Sequence, residues 1–270
     1  MSWNKDVSSK ELFLEGLKLL RKGVLLMIIA SVVGALAVGL ALWLFVVWLT
    51  PLHVAIPTPQ WGIVPPEATK APEKLLEELL AQTPYVVALG VPLLVMMLVA
   101  VALAIVGLWA LFVPGAKKLG RASAEFGTAS TLIWIGYFWG VLVLVVAPFA
   151  GLGCIICFAL VQNVPAVLSA TVGTLIGVFV GAVLALIGFI GSIVLAFKLY
   201  ELERDSLYLA AAISLIASLV LSFGGLVPYA GPLISIAASA LGFIALILLY
   251  AALGGSIARA SSTTTPPALS

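Results

Sequence analysis

Residues 165–197 read PAVLSATVGTLIGVFVGAVLALIGFIGSIVLAF, an apolar run with no Asp, Glu, Lys, Arg or His. A helix needs about 20 apolar residues to cross a ~30 Å hydrocarbon core, and this run exceeds that length. Five further stretches share its character: 23–50, 85–113, 130–161, 206–226 and 231–256. The 13 basic and 11 acidic side chains all lie outside the six. The fold class that follows is an all-α polytopic transmembrane helix bundle of about six spans, with an N-terminal amphipathic interfacial helix.

Composition agrees. Hydrophobic residues make up 63% of the chain and charged ones 9%, where a soluble domain is about 25% charged. A net charge of +2 is too small for a nucleic-acid surface. The first apolar stretch is longer than the ~7–15 residues of a signal h-region and follows a polar, amphipathic segment, so it is expected to be a retained anchor.

Basic residues set the expected orientation. Lys5, Lys10, Lys18, Arg21 and Lys22 precede span one; Lys117, Lys118 and Arg121 follow span two; Lys198 and Arg204 follow span four; Arg259 follows span six. Only Lys70 and Lys74 fall on the other side. Lys and Arg stay cytoplasmic during insertion, so both termini are expected in the cytoplasm of a plasma-membrane protein. The external loop, with Glu67, Glu73, Glu77 and Glu78, is then net acidic.

Three regions follow. Residues 1–22 form a cytoplasmic amphipathic helix, 23–258 the six-span bundle with its external loop 51–84, and 259–270 a disordered Ser/Thr/Pro tail. Ser8-Ser9-Lys10-Glu11 reads as a capping box opening the first helix. Its charged face and its Leu12, Phe13, Leu17, Leu19, Leu20 face suit either the headgroup layer, with the chain turning in at Gly23, or the protein's own inner surface. In the proline-rich external loop, residues 71–82 predict a short helix, resting on the outer membrane surface or serving as a lid or docking site. Residues 165–197 as one helix would span ~50 Å, so the helix tilts, projects, or leaves part of 150–170 non-spanning. Gln162-Asn163-Val164-Pro165 marks the turn before it.

Candidate chemistry is sparse. Cys154 and Cys157 form a CxxC pair in apolar surroundings, with no basic neighbour in sequence to lower a thiol pKa. They are expected to be small packing residues or a disulfide, with a redox pair as the remote alternative. His53 is the lone histidine, so a metal site lacks ligands, and no cofactor or catalytic residue is expected. The spans instead carry small residues at helical spacing. Gly173, Gly177 and Gly181 continue to Ala185, Gly188 and Gly191; Ser214 and Ser218 lie in span five, and Ser235 and Ser239 in span six. In lipid, such ridges let backbones approach closely and hydroxyls bond across helices. They are expected to mark helix packing or a subunit interface.

Glu-Gly-Leu-Lys-Leu-Leu-Arg-Lys-Gly at 15–23, Ala-Phe-Lys-Leu-Tyr-Glu-Leu-Glu-Arg-Asp-Ser at 196–206 and the Thr/Pro tail resemble multi-pass membrane proteins of thermophilic archaea, of the domain-of-unknown-function 973 type. The resemblance implies a polytopic plasma-membrane protein and brings no site residues. The expected function is a non-enzymatic structural or assembly subunit. Its partners would be the lipid bilayer and other membrane subunits or a homo-oligomer, with no nucleic acid. The alternatives are a channel or facilitator for a neutral or apolar solute and, more distantly, a thiol–disulfide oxidoreductase.

Overall fold

The computed structural model describes residues 3–53, 72–225, 227 and 230–262. Among the described residues there is no strand, and the α-helices are α1 Trp3–His53, α2 Pro72–Ile105, α3 Val113–Ala122, α4 Gly127–Ile133, α5 Gly140–Leu160, α6 Val164–Glu203, α7 Ser206–Gly224 and α8 Gly231–Ser262. Wider π-helical segments, Val106–Phe112 and Trp134–Trp139, carry α2 into α3 and α4 into α5. Six helical runs are long and apolar enough to cross a membrane: Ser9–Leu44, Gly90–Ala122, Ala124–Phe158, Val164–Glu203, Ser206–Gly224 and Gly231–Ser261. The protein is an all-α polytopic bundle.

Two compact units divide the chain: residues 29–104, and residues 1–28 together with 105–270. In the smaller unit α1 and α2 approach where a β-carbon on Gly34 would meet Ala100 Cβ at 3.8 Å. Ala37 and Ala100 are buried there, while Leu36, Leu42, Leu94 and Leu98 point outward. Large side chains outside and small ones inside is the arrangement lipid allows and water would not.

The larger unit holds the main core, in which Leu17, Leu20 and Val24 of α1 meet Phe112, Leu119, Phe126, Leu199, Tyr208 and Leu253. The apolar face of the N-terminal helix therefore packs on the protein itself. The expected turn at Gly23 is corrected: α1 runs unbroken from Trp3 to His53. A β-carbon on Gly23 would lie 2.8 Å from the Gly107 carbonyl oxygen and 2.8 Å from the Phe112 amide. The glycine serves a close approach rather than a bend. Likewise, the helix expected at 71–82 is not separate but the first part of α2, which continues through Pro84 to Ile105. The rest of the loop expected to be external, 54–71, and the tail 263–270 lie outside the described residues, while 259–262 complete α8.

The alternatives for 150–170 resolve into a tight turn. α5 ends at Leu160, Gln162 takes φ 55°, and Asn163 Oδ1 accepts from the Ala166 amide at 3.2 Å to cap α6. At 1.5 Å per residue α6 extends ~60 Å, so it outruns a ~30 Å core and carries Lys198–Glu203 beyond its apolar run. Gln162 sits in the left-handed region, which costs a residue with a β-carbon about 1–2 kcal/mol. Gln162→Gly removes that cost while giving back about 0.4–1 kcal/mol of unfolded-chain freedom. The net expectation is a small rise in thermal midpoint in detergent, and a fall for Gln162→Val. Equal midpoints for all three proteins would mean that the turn carries no strain.

Candidate functional site: paired π-helical segments and the charged end of the bundle

The two π-helical segments face one another in the larger unit. A π-turn inserts a residue into a helix and leaves a backbone group without its usual partner, and such segments are frequent at functional sites. Here Trp109 Nε1 donates to the Tyr137 carbonyl at 3.2 Å, linking the segments. Around that bond Trp109 and Trp134 flank Phe138, with ring centroids 5.5 and 6.0 Å away, and Phe112 meets Tyr137 edge-on at 6.2 Å. Ser192 Oγ of α6 lies 3.1 Å from the Tyr137 hydroxyl and 3.2 Å from the Gly188 carbonyl. Sequence reading does not find this centre. Its only trace is the density of aromatic residues at 134–139, which reads equally well as interfacial anchoring.

The ridge of α6 docks along this centre. Gly188 faces the Tyr137 amide, Gly191 the Ile133 amide and Gly181 the Leu144 amide, where β-carbons would stand only 2.7, 2.8 and 2.9 Å away. Gly177 faces Ala147 Cβ at 2.7 Å, whereas Gly173 has nothing within 4 Å. On the facing helix the complementary small residues are Gly136, Gly140 and Gly151.

The serines divide similarly. Ser218 Oγ of α7 is buried and donates to the Ala238 carbonyl of α8 at 2.8 Å. Ser235 approaches Gly225. Ser239 is exposed and bonds back to its own helix at Ser235 O, 2.9 Å away, and Ser214 is half-buried on α7.

The disulfide expectation is corrected: Cys154 and Cys157 are free and exposed on α5. Exposed cysteine behaves toward lipid as a small hydrophobe and needs no partner. Among the described residues no group of three or more His, Cys, Asp or Glu side chains could hold a metal ion.

At one end of the larger unit the charges gather and pair. Arg259 Nε donates to Glu203 Oε2 at 3.2 Å and its Nη2 to Asp205 Oδ2 at 3.1 Å. The same Nη2 reaches Ser256 Oγ at 3.3 Å, which in turn lies 2.9 Å from the Tyr208 hydroxyl. Lys118 of α3 pairs with Glu15 of α1, and Lys198 with Glu201 at 2.6 Å. Arg21 is different. Its guanidinium lies over the Tyr250 ring, 4.6 Å from the centroid, with Nε buried and without a hydrogen-bond partner. The ring face supplies the attraction that a carboxylate would otherwise provide.

Six apolar helical runs and glycine-mediated packing define a polytopic helical membrane protein. Within that class, the family model described as "Protein of unknown function (DUF973)" matches residues 14–269, and the chain belongs to that family. No curated protein and no solved structure matches it.

Proposed function

We propose that the protein is a non-enzymatic structural or assembly subunit of a plasma-membrane complex, with both termini cytoplasmic. One observation carries this reading: several buried or half-buried polar side chains of the bundle are engaged between helices. Trp109 bonds to the Tyr137 carbonyl, Ser218 to the Ala238 carbonyl, Ser192 to Tyr137 and Tyr208 to Ser256. A solute pathway would turn such groups toward a wet passage, and an ion-coupled carrier would place ionisable side chains along its spans. Groups engaged in this way hold a fixed scaffold together. The archaeal membrane implied by the sequence resemblance is part of the same reading.

Crosslinking in native membranes followed by purification tests it. Stable co-purifying membrane subunits, or a defined homo-oligomer, are the expected result. Flux of a neutral solute by the protein alone in liposomes would replace the reading with that of a channel. Topology is tested separately, from the eleven-to-two division of basic residues. Single cysteines at Glu73 and Ser262, in a Cys154→Ala/Cys157→Ala background, should label from opposite sides of the membrane. Labelling of both by an impermeant reagent outside intact cells would refute the six-span threading.

A further inference from the structure

Between α3 and α4 lies an open cavity of about 260 Å³, lined by Lys117, Gly120, Arg121, Ser130, Thr131 and Trp134, with Gly127 at its edge. We infer that this cavity binds the phosphate of an anionic phospholipid headgroup. Both of its cations, Lys117 and Arg121, are without a carboxylate partner, as are Lys18, Lys22 and Arg204 elsewhere among the described residues. Lys118, Lys198 and Arg259 each have one. Lys117 is held instead over the Trp134 ring, 5.5 Å from the centroid, which positions the ammonium without neutralising it. No acidic residue lines the cavity.

The hydroxyls supply the other half of an anion site. Thr131 Oγ1 donates to the Gly127 carbonyl at 2.9 Å, so its hydrogen is committed. Ser130 is only 8% exposed and has no hydrogen-bond partner among the described residues, so its hydroxyl is free to donate into the cavity. Gly120 keeps that hydroxyl accessible: a β-carbon there would stand 3.1 Å from Ser130 Oγ. Two unneutralised cations, one free hydroxyl donor and an exposed indole match a phosphate at the membrane surface. Basic pockets between membrane helices recognise headgroups in this way, with Trp at the interfacial level. The volume falls below the ~300–1,000 Å³ of sites that enclose a whole small molecule. It suits a headgroup whose acyl chains remain in the bilayer.

The test uses the full-length protein, delipidated in neutral detergent and titrated with dioleoyl phosphatidylglycerol, dioleoyl phosphatidylcholine or inorganic phosphate, with retained lipid read by native mass spectrometry. Phosphatidylglycerol should be retained in preference to phosphatidylcholine. Each basic residue at an anionic surface contributes a factor of about five, so K117Q/R121Q should weaken phosphatidylglycerol retention about 25-fold. Ser130→Ala should weaken it by a smaller factor. Lys118→Gln removes the same charge one residue away from a side chain committed to Glu15, and should leave retention near wild type. Equal retention by wild type and K117Q/R121Q would overturn the inference, as would an equal loss in K118Q. Displacement of the lipid by millimolar inorganic phosphate with no preference among headgroups would also overturn it, and would assign the cavity to free phosphate.

Discussion

Leucine at Gly136 is expected to destabilise the fold by several kcal/mol, more than leucine at Gly177. A β-carbon on Gly136 would collide with the backbone of Gly188 in α6 and stand 2.7 Å from the Leu184 carbonyl oxygen. The obstacle is backbone on both sides, so no rotamer change relieves it. The π-helical segment and α6 must separate, which also pulls Gly188 from Tyr137, Gly140 from Ala185 and Ser192 from the Tyr137 hydroxyl. Overpacking commonly costs about 1–3 kcal/mol and occasionally more; because the whole seam opens at once, Gly136→Leu should cost about 3 kcal/mol or more.

Two companions grade the effect. Gly177→Leu meets only the Ala147 side chain and should cost about 1–3 kcal/mol. Gly173→Ala meets nothing within 4 Å and should be neutral or stabilising, since alanine exceeds glycine in helix propensity by about 1 kcal/mol. Thermal midpoints and monodispersity in detergent decide the series. A Gly136→Leu protein with a wild-type midpoint would mean that this seam does not hold the two helices together.

That series also shows how far the sequence can be read. The positions of the six apolar runs follow from the absence of charge, because a single ionised residue inside a span is costly enough to be visible. The ridge of α6 is equally visible as a repeat of four. Its partner is less visible: Gly136 and Gly140 are four apart, but Gly136 lies in a π-helical segment that shifts the helical phase and Gly151 follows only eleven residues later. Periodicity assumes a constant turn, and a π-turn breaks that assumption.

The N-terminal helix illustrates a different limit. A leucine face looks the same whether lipid or protein covers it. Gly16 and Gly23 hold the deciding information, each pressed against α3 or the segment before it, and a glycine alone does not say what it faces. In the sequence, the phosphate-site residues register only as topological charge. What distinguishes Lys117 and Arg121 from Lys118 is the presence or absence of a carboxylate brought in from another helix.

Asp205→Ala is expected to cost about 1–2 kcal/mol, more than its neutral isostere Asp205→Asn, because the residue does two separable things. Its Oδ1 accepts from the Leu207 amide at 3.1 Å, capping α7, while Oδ2 accepts from Arg259 at 3.1 Å. Loss of an N-cap typically costs about 1 kcal/mol. The Arg259 side chain is 52% exposed, so the ion pair is screened and contributes about 0–1 kcal/mol. Asparagine retains the cap and gives up only the charge, so it should lose no more than that second part, and its loss should shrink at high salt. Arg259→Gln tests the same junction from the other side. It leaves Glu203 and Asp205, both largely buried at 19% and 17% side-chain exposure, as adjacent carboxylates without their shared cation. A double-mutant cycle between Asp205→Asn and Arg259→Gln then isolates the pair. Equal losses for Asp205→Asn and Asp205→Ala would show that the cap contributes nothing. A coupling of zero would show that the Arg259–Asp205 pair adds nothing to the junction, with Arg259 only resting on that carboxylate.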